Sequence, residues 1–109
     1  LIEIRIFLNG KGEAEGLEIS GHAGLNSPGH DILCSAVSVL SENLGASLEH
    51  LFGKKPVVKK KEGFYSLHLT ESEIDQKTEI LFLSAVFGLQ NLSEQFPERI
   101  RILNESSEA

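Results

Sequence analysis

A histidine and a cysteine in this chain stand in a frame that suits nucleophilic chemistry. Gly21-His22-Ala23 is followed, after a short loop, by Pro28-Gly29-His30-Asp31-Ile32-Leu33-Cys34. A thiolate held by an imidazole as its ion-pair partner can attack a carbonyl, and the imidazole then protonates the leaving amine. The periodicity puts His22 at the end of a strand and Cys34 in the first turn of a helix, so a short return through glycines can bring them to one sheet edge. Unpaired N–H groups at a helix start carry about half a positive charge. That field is expected to lower a thiol pKa from about 8.5 into the ~3.5–7.5 range. The N–H groups of Cys34 and Ser35 are the expected oxyanion donors. Asp31 occupies the N-cap position, with orientation of His22 as a second role.

Other readings of the same residues stand beside this one. Cys34 lies among Ile32, Leu33, Ala36 and Val37, where a lone cysteine commonly serves as a small buried hydrophobe. It falls one position off the stripe set by Leu33 and Val37, which points it toward the margin of that stripe. His22, His30, Asp31 and Cys34 also include the ligand types of a zinc site. The His22–His30 interval matches no compact zinc signature and there is no second cysteine, so neither metal nor cofactor is expected. Ser35 and Ser38 lack the flanking pattern of an activated serine.

The elements that must position these groups follow from hydrophobic spacing. Leu1–Leu8 alternates as a half-buried strand, Asn9-Gly10-Lys11-Gly12 reads as a hairpin turn, and Ala14–Ser20 is a second strand. Gly21 to His30 is loop. A helix is predicted from about Ile32 to Phe52, with Leu33, Val37, Leu40, Leu44, Leu48 and Leu51 inward and Gly53 as its stop. Pro56–Lys61 and Phe64–Leu69 form a strand pair around Glu62-Gly63. Ser72 or Asp75 caps a second helix to about Phe96, with Ile74, Leu81, Ala85, Leu89 and Leu92 inward. Ile100–Leu103 is a last short strand, and Asn104–Ala109 reads as a frayed polar tail. The order β-β-α-β-β-α-β, with two amphipathic helices to cover, predicts an α+β fold in which one mixed sheet packs with both helices.

The whole chain, 109 residues, is the size of one domain (1–109), and 40% apolar with 24% charged residues argues against disorder. Sixteen acidic against ten basic side chains leave a charge of -6, the wrong sign for a general nucleic-acid clamp, so no direct nucleic-acid contact is required. An acidic surface better suits a basic partner or substrate. One cysteine forbids an internal disulfide and fits a reducing cytoplasm. No apolar run approaches the roughly 18 residues of a membrane span. Lys54, Lys55, Lys59, Lys60 and Lys61 crowd one predicted strand, as a solvated edge guarded against aggregation or as a docking patch. His50 suits a helix C-terminus, and His68 an alternating strand.

Gly21-His22-Ala23, then Gly29-x-Asp31-Ile32-Leu33-Cys34-Ser35-Ala36-Val37-Ser38, resembles the ribosomal-processing cysteine protease family of bacteria, often called Prp. The element order and length agree along essentially the whole chain. The resemblance implies that Cys34 and His22 form a catalytic dyad. It implies a substrate as well: the N-terminal extension of a large-subunit ribosomal protein, the twenty-seventh of that subunit. The cut is expected after a Phe-containing apolar segment and before a small residue. The resemblance also implies a homodimer, and a mobile loop, here Ala23–His30, to which Gly24 and Gly29 would give backbone freedom. Leu33 and Ser35 stand where many relatives carry Val and Ala. The competing class is a non-enzymatic ribosome-associated or regulatory binding domain that uses Lys54–Lys61 and keeps Cys34 as core.

Overall fold

Alternation in the first strand separates two faces of a sheet. In β1 (Ile2–Leu8) the side chains of Ile2, Ile4 and Ile6 are buried, while Glu3 and Arg5 lie on the opposite face. β2 (Ala14–Gly21) pairs antiparallel with β1 and sets Leu17 against Ile6 and Ile19 against Ile4. The turn between them is closed by Asn9, whose Oδ1 accepts from the N–H groups of Lys11 and Glu13, both at 2.9 Å. The structure, a computed structural model, describes residues 1–24 and 31–106. The expectations placed on Gly29, on His30 and on the last residues from Ser107 lie outside that range.

The remaining elements are α1 (Ile32–Phe52), β3 (Val57–Lys61), β4 (Phe64–His68), a single 3-10 turn (Glu71–Glu73), α2 (Gln76–Gln95) and β5 (Ile100–Ser106). The strand order is β3-β4-β2-β1-β5, antiparallel except for the parallel β1–β5 pair. This is the expected α+β architecture, with both helices packed into one core that also takes Ile4, Leu17 and Leu67 from the sheet. The outer face carries ion pairs instead, Arg5 bridging Glu3 and Glu105 and Arg101 holding Glu3.

Several expected details change. β5 continues to Ser106, opposite Leu8, where a frayed tail was expected from Asn104. Pairing uses main-chain groups, which the polar side chains there do not disturb, and Glu105 finds Arg5 at 2.7 Å. Leu51 is 66% exposed. At 3.6 residues per turn the buried stripe of Leu44 and Leu48 passes next to Phe52, which is half-buried. In α2 the buried line is Thr78, Phe82, Ala85 and Leu89, so Phe82 was missed, and Ile74, Leu81 and Leu92 pack at its margins. Asp75, not Ser72, is the N-cap, in a reciprocal capping box with Thr78 at 3.0 Å each way. Its carboxyl is held below the usual range by the hydrogen bond from Lys54 and then by the Thr78 N–H.

Phe82 is fully buried and Leu51 is not. Phe82→Ala is therefore expected to cost about 3–5 kcal/mol in urea unfolding, and Leu51→Ala less than about 0.5 kcal/mol.

Candidate active site

The end of β2, in the middle of the sheet, sets the site. Gly21 (φ +93) pairs with Ile2 so tightly that a Cβ would collide with the Leu1 carbonyl. His22 follows, exposed, with its carbonyl accepting from the Leu1 amino group at 2.6 Å. Ala23 is 2% exposed and turns its methyl into the core. Gly24 has φ +76, a left-handed conformation that favours glycine. Ala23 is held at both of its main-chain groups. Its N–H donates to Cys34 Sγ at 3.3 Å, and its carbonyl accepts from Arg99 Nη1 at 2.9 Å.

The other side of the site is the start of α1. Asp31 is buried, and its Oδ1 accepts from the Cys34 N–H at 3.0 Å as an N-cap. Its main-chain carbonyl accepts from the Ser35 N–H at 3.1 Å. The two backbone donors expected to hold an oxyanion thus both donate to Asp31. Ser35 itself is exposed on the far side of α1, in a surface groove with Ile32, Val39 and Leu92. Ser38, one turn beyond Cys34, shares the cleft instead.

Cys34 is half-buried at the stripe margin, between buried Leu33 and exposed Ser35. It and His22 line one cleft. Ile2, Ile19 and Val37 form apolar parts of its wall, and Gly63, Phe64 and Tyr65 come from the β3–β4 hairpin. The hairpin wall escaped the sequence reading, because only the pairing of β4 with β2 brings Gly63 beside the end of β2, where its carbonyl accepts from the Gly21 N–H at 2.9 Å. Gly63 (φ +72) also makes room for the imidazole: a Cβ there would stand 3.0 Å from His22 Nε2. Phe64 and Tyr65 are both half-buried, and Tyr65 donates weakly to the Ser41 carbonyl at 3.4 Å. Lys60 of β3 pairs with Glu42 of α1 at 2.9 Å, and both line the cleft.

Burial pushes the Cys34 thiol up from its ordinary value, and the Asp31 carboxylate adds to this by its charge and by a hydrogen bond. The Ala23 N–H pulls the other way. The sequence reading expected a depressed thiol pKa from the helix start. Burial is the larger cause of the difference, and the cap adds to it: Asp31 engages the Cys34 N–H and brings a negative charge to the place where the dipole would have favoured sulfur. Burial and the Asp31 charge both favour the thiol over the thiolate.

The other candidates sit apart. His50 is exposed beside Glu49 at 3.4 Å, and His68 lies against Phe7 with ring centroids 5.1 Å apart. The five residues of β3 form an exposed edge strand, and of the nearby lysines Lys54 is paired with Asp75 at 2.6 Å. Among the described residues no group of three or more His, Cys, Asp or Glu could hold a metal.

Gly63→Ala and Gly53→Ala place the same residue at positive φ, but at Gly53 the added methyl meets nothing within 4 Å. Each is expected to cost about 1 kcal/mol in urea unfolding. Only Gly63→Ala is expected to move the His22 ring resonances in a proton–carbon correlation spectrum.

The sequence profile of the family described as Cysteine protease Prp matches residues 1–101. The ribosomal processing cysteine protease Prp of Staphylococcus aureus strain Mu50 is 21% identical over 103 residues, covering 94% of this chain and 97% of the relative. A crystal structure of an essential ribosomal processing protease Prp from S. aureus, in complex with a covalently linked product peptide, superposes with a TM-score of 0.88. It is 20% identical and covers 96% of this chain and 100% of that one. SMU.848 from Streptococcus mutans superposes with a TM-score of 0.85 at 33% identity, over 98% of this chain and 96% of that one. No helix among the described residues is long and apolar enough to cross a membrane. A match over nearly the full length, with the fold to go with it, makes the chain a member of the Prp family of cysteine proteases.

Proposed function

We propose that the chain is a cysteine endopeptidase that works through a Cys34–His22 dyad and removes the N-terminal extension of a large-subunit ribosomal protein, the twenty-seventh of that subunit. The observation that carries the reading is the shared cleft: Cys34 Sγ and His22 line it together, and the Ala23 N–H already donates to the sulfur at 3.3 Å. His22 takes the thiol proton, and the sulfur attacks the scissile carbonyl carbon as the carbonyl electron pair moves to oxygen. When the tetrahedral intermediate collapses, the C–N bond breaks, His22 protonates the departing amine and a thioester remains on Cys34. Water, deprotonated by His22, then displaces the sulfur and releases a carboxylic acid. The Ala23 N–H follows the developing charge from sulfur to oxygen, the role the sequence assigned to Cys34 and Ser35.

The apolar cleft residues Ile19, Val37 and Tyr65 suit the Phe-containing side of the cut, and a surface of net charge -6 suits a basic downstream segment. The S. aureus relatives bear names that specify ribosomal processing, and a second S. aureus structure is a complex with a substrate peptide. Activity in the cytoplasm, where ribosomes assemble, follows from that substrate. Cys34→Ser and His22→Ala should each abolish cleavage of the extended ribosomal protein, read by gel or mass spectrometry, with an unchanged circular dichroism spectrum. Cleavage by Cys34→Ser at the wild-type rate would remove the nucleophile. Salt-sensitive RNA binding that survives Cys34→Ala, with no cleavage by the wild type, would favour the binding-domain reading.

We also infer a homodimer built on the helical layer. Ile32, Val39, Leu83 and Phe87 are exposed on α1 and α2, and the groove holding Ile32 and Val39 carries no charged side chain in a strongly acidic protein. A second copy offers the same uncharged face, as a two-fold contact requires, whereas a charged partner would leave its charges unmet. Sedimentation should give twice the 11.9 kDa chain mass, falling to the monomer in Val39→Glu. A monomeric wild type would overturn this.

A further inference from the structure

We propose that Arg99 is a positioning residue for this chemistry, its guanidinium holding the Ala23 carbonyl so that the Ala23 N–H stays on Cys34 Sγ. The inference rests on the reading of Cys34 as the nucleophile. Arg99 stands 76 positions along the chain from Ala23, at the junction of α2 and β5, and its Nη1 donates to the Ala23 carbonyl at 2.9 Å. The root of its side chain is held at both main-chain groups. Its N–H donates to the Phe96 carbonyl at 2.9 Å, and its carbonyl accepts from the Ile2 N–H at 2.7 Å. Arg5 and Arg101 engage carboxylates on the outer face of the sheet, whereas this guanidinium is directed at a backbone carbonyl beside the site.

The placement has a mechanical consequence. Ala23 is the last residue whose side chain anchors the end of β2 in the core, and Gly24 after it sits at φ +76 with few steric limits. Main-chain rotation about Ala23 would turn its N–H off the sulfur. A charged donor on its carbonyl opposes that rotation from the far side of the same residue. Gly24 leaves the guanidinium room, since a Cβ there would stand 3.3 Å from Arg99 Nη1, a tight contact. The site is thereby tied to β1 and β5 through Arg99 as well as through β2.

Among the described residues, the charged and titratable groups around Cys34 are Asp31 at the cap, His22 and the Leu1 amino group at the end of β2, and Glu42, Lys60, Lys61 and Tyr65 along the cleft. Arg99 adds a positive charge of its own, which Arg99→Met removes and Arg99→Lys keeps. An N–H donated to sulfur favours the thiolate, so losing it moves ionisation to higher pH. Burial already places the wild-type thiol above its ordinary value.

The test is the pH dependence of iodoacetamide alkylation of Cys34, followed by intact mass, in wild type, Arg99→Met, Arg99→Lys and Gly24→Ala. Arg99→Met and Gly24→Ala are expected to raise the half-point by about half a pH unit or more. Arg99→Lys, which keeps a charged donor, is expected to return most of the shift. With the extended ribosomal protein as substrate, Arg99→Met should lower kcat about tenfold and leave KM within about twofold. If Arg99→Met fails to fold, Gly24→Ala and Arg99→Lys carry the same comparison. Variants that melt earlier but keep the wild-type half-point would make Arg99 purely structural and overturn the proposal. Alkylation needs no substrate, so a shifted half-point in a chain that cleaves nothing would support the positioning role while refuting the protease reading.

Discussion

One contact holds the chemistry together: the Ala23 N–H on the Cys34 sulfur, which joins the end of β2 to the first turn of α1. Twelve positions of chain separate His22 from Cys34, and nothing local would keep them near each other. The sheet does so by placing β2 between β1 and β4, hydrogen-bonded on both sides, so that the backbone at His22 is rigid on arrival. The helix does so by starting where Asp31 caps it, which sets the turn that presents Cys34.

That cap also shapes the electrostatics. A helix start without a carboxylate would offer its first N–H groups to an anion and favour a resting thiolate. Here burial pushes the half-buried thiol up, and Asp31, which takes the Cys34 N–H, adds to this with its negative charge. A protonated thiol is a poor nucleophile. In the proposed mechanism the thiol proton passes to His22, an exposed imidazole seated over Gly63.

Much of this was legible in the chain. Alternation in Leu1–Leu8, the Asn9–Gly12 turn, the Asp31 cap and the left-handed Gly53 stop depend on residues close in sequence, and the structure keeps each of them. The Gly-His-Ala and Asp-Ile-Leu-Cys stretches pointed to the family that the profile match shows. What escaped depends on pairing across the sheet or on rotation about a helix axis. The hairpin wall of Gly63, Phe64 and Tyr65 reaches the cleft only through the β2–β4 register. Ser35 and Phe82 turn on a few tens of degrees of helical phase, which apolar spacing alone does not resolve. The extension of β5 to Ser106 is a main-chain event, driven by the free edge of β1, to which polar side chains give no signal.

The central claim is that the Cys34 sulfur carries the acyl group of the substrate. Rapid acid quench of wild type with the extended ribosomal protein, followed by intact mass and peptide mapping, tests it most directly. The account predicts a transient adduct of the leader's mass less one water, joined to Cys34 as a thioester and absent from His22→Ala. Leader released at full rate while Cys34 stays unmodified at every time point would contradict it.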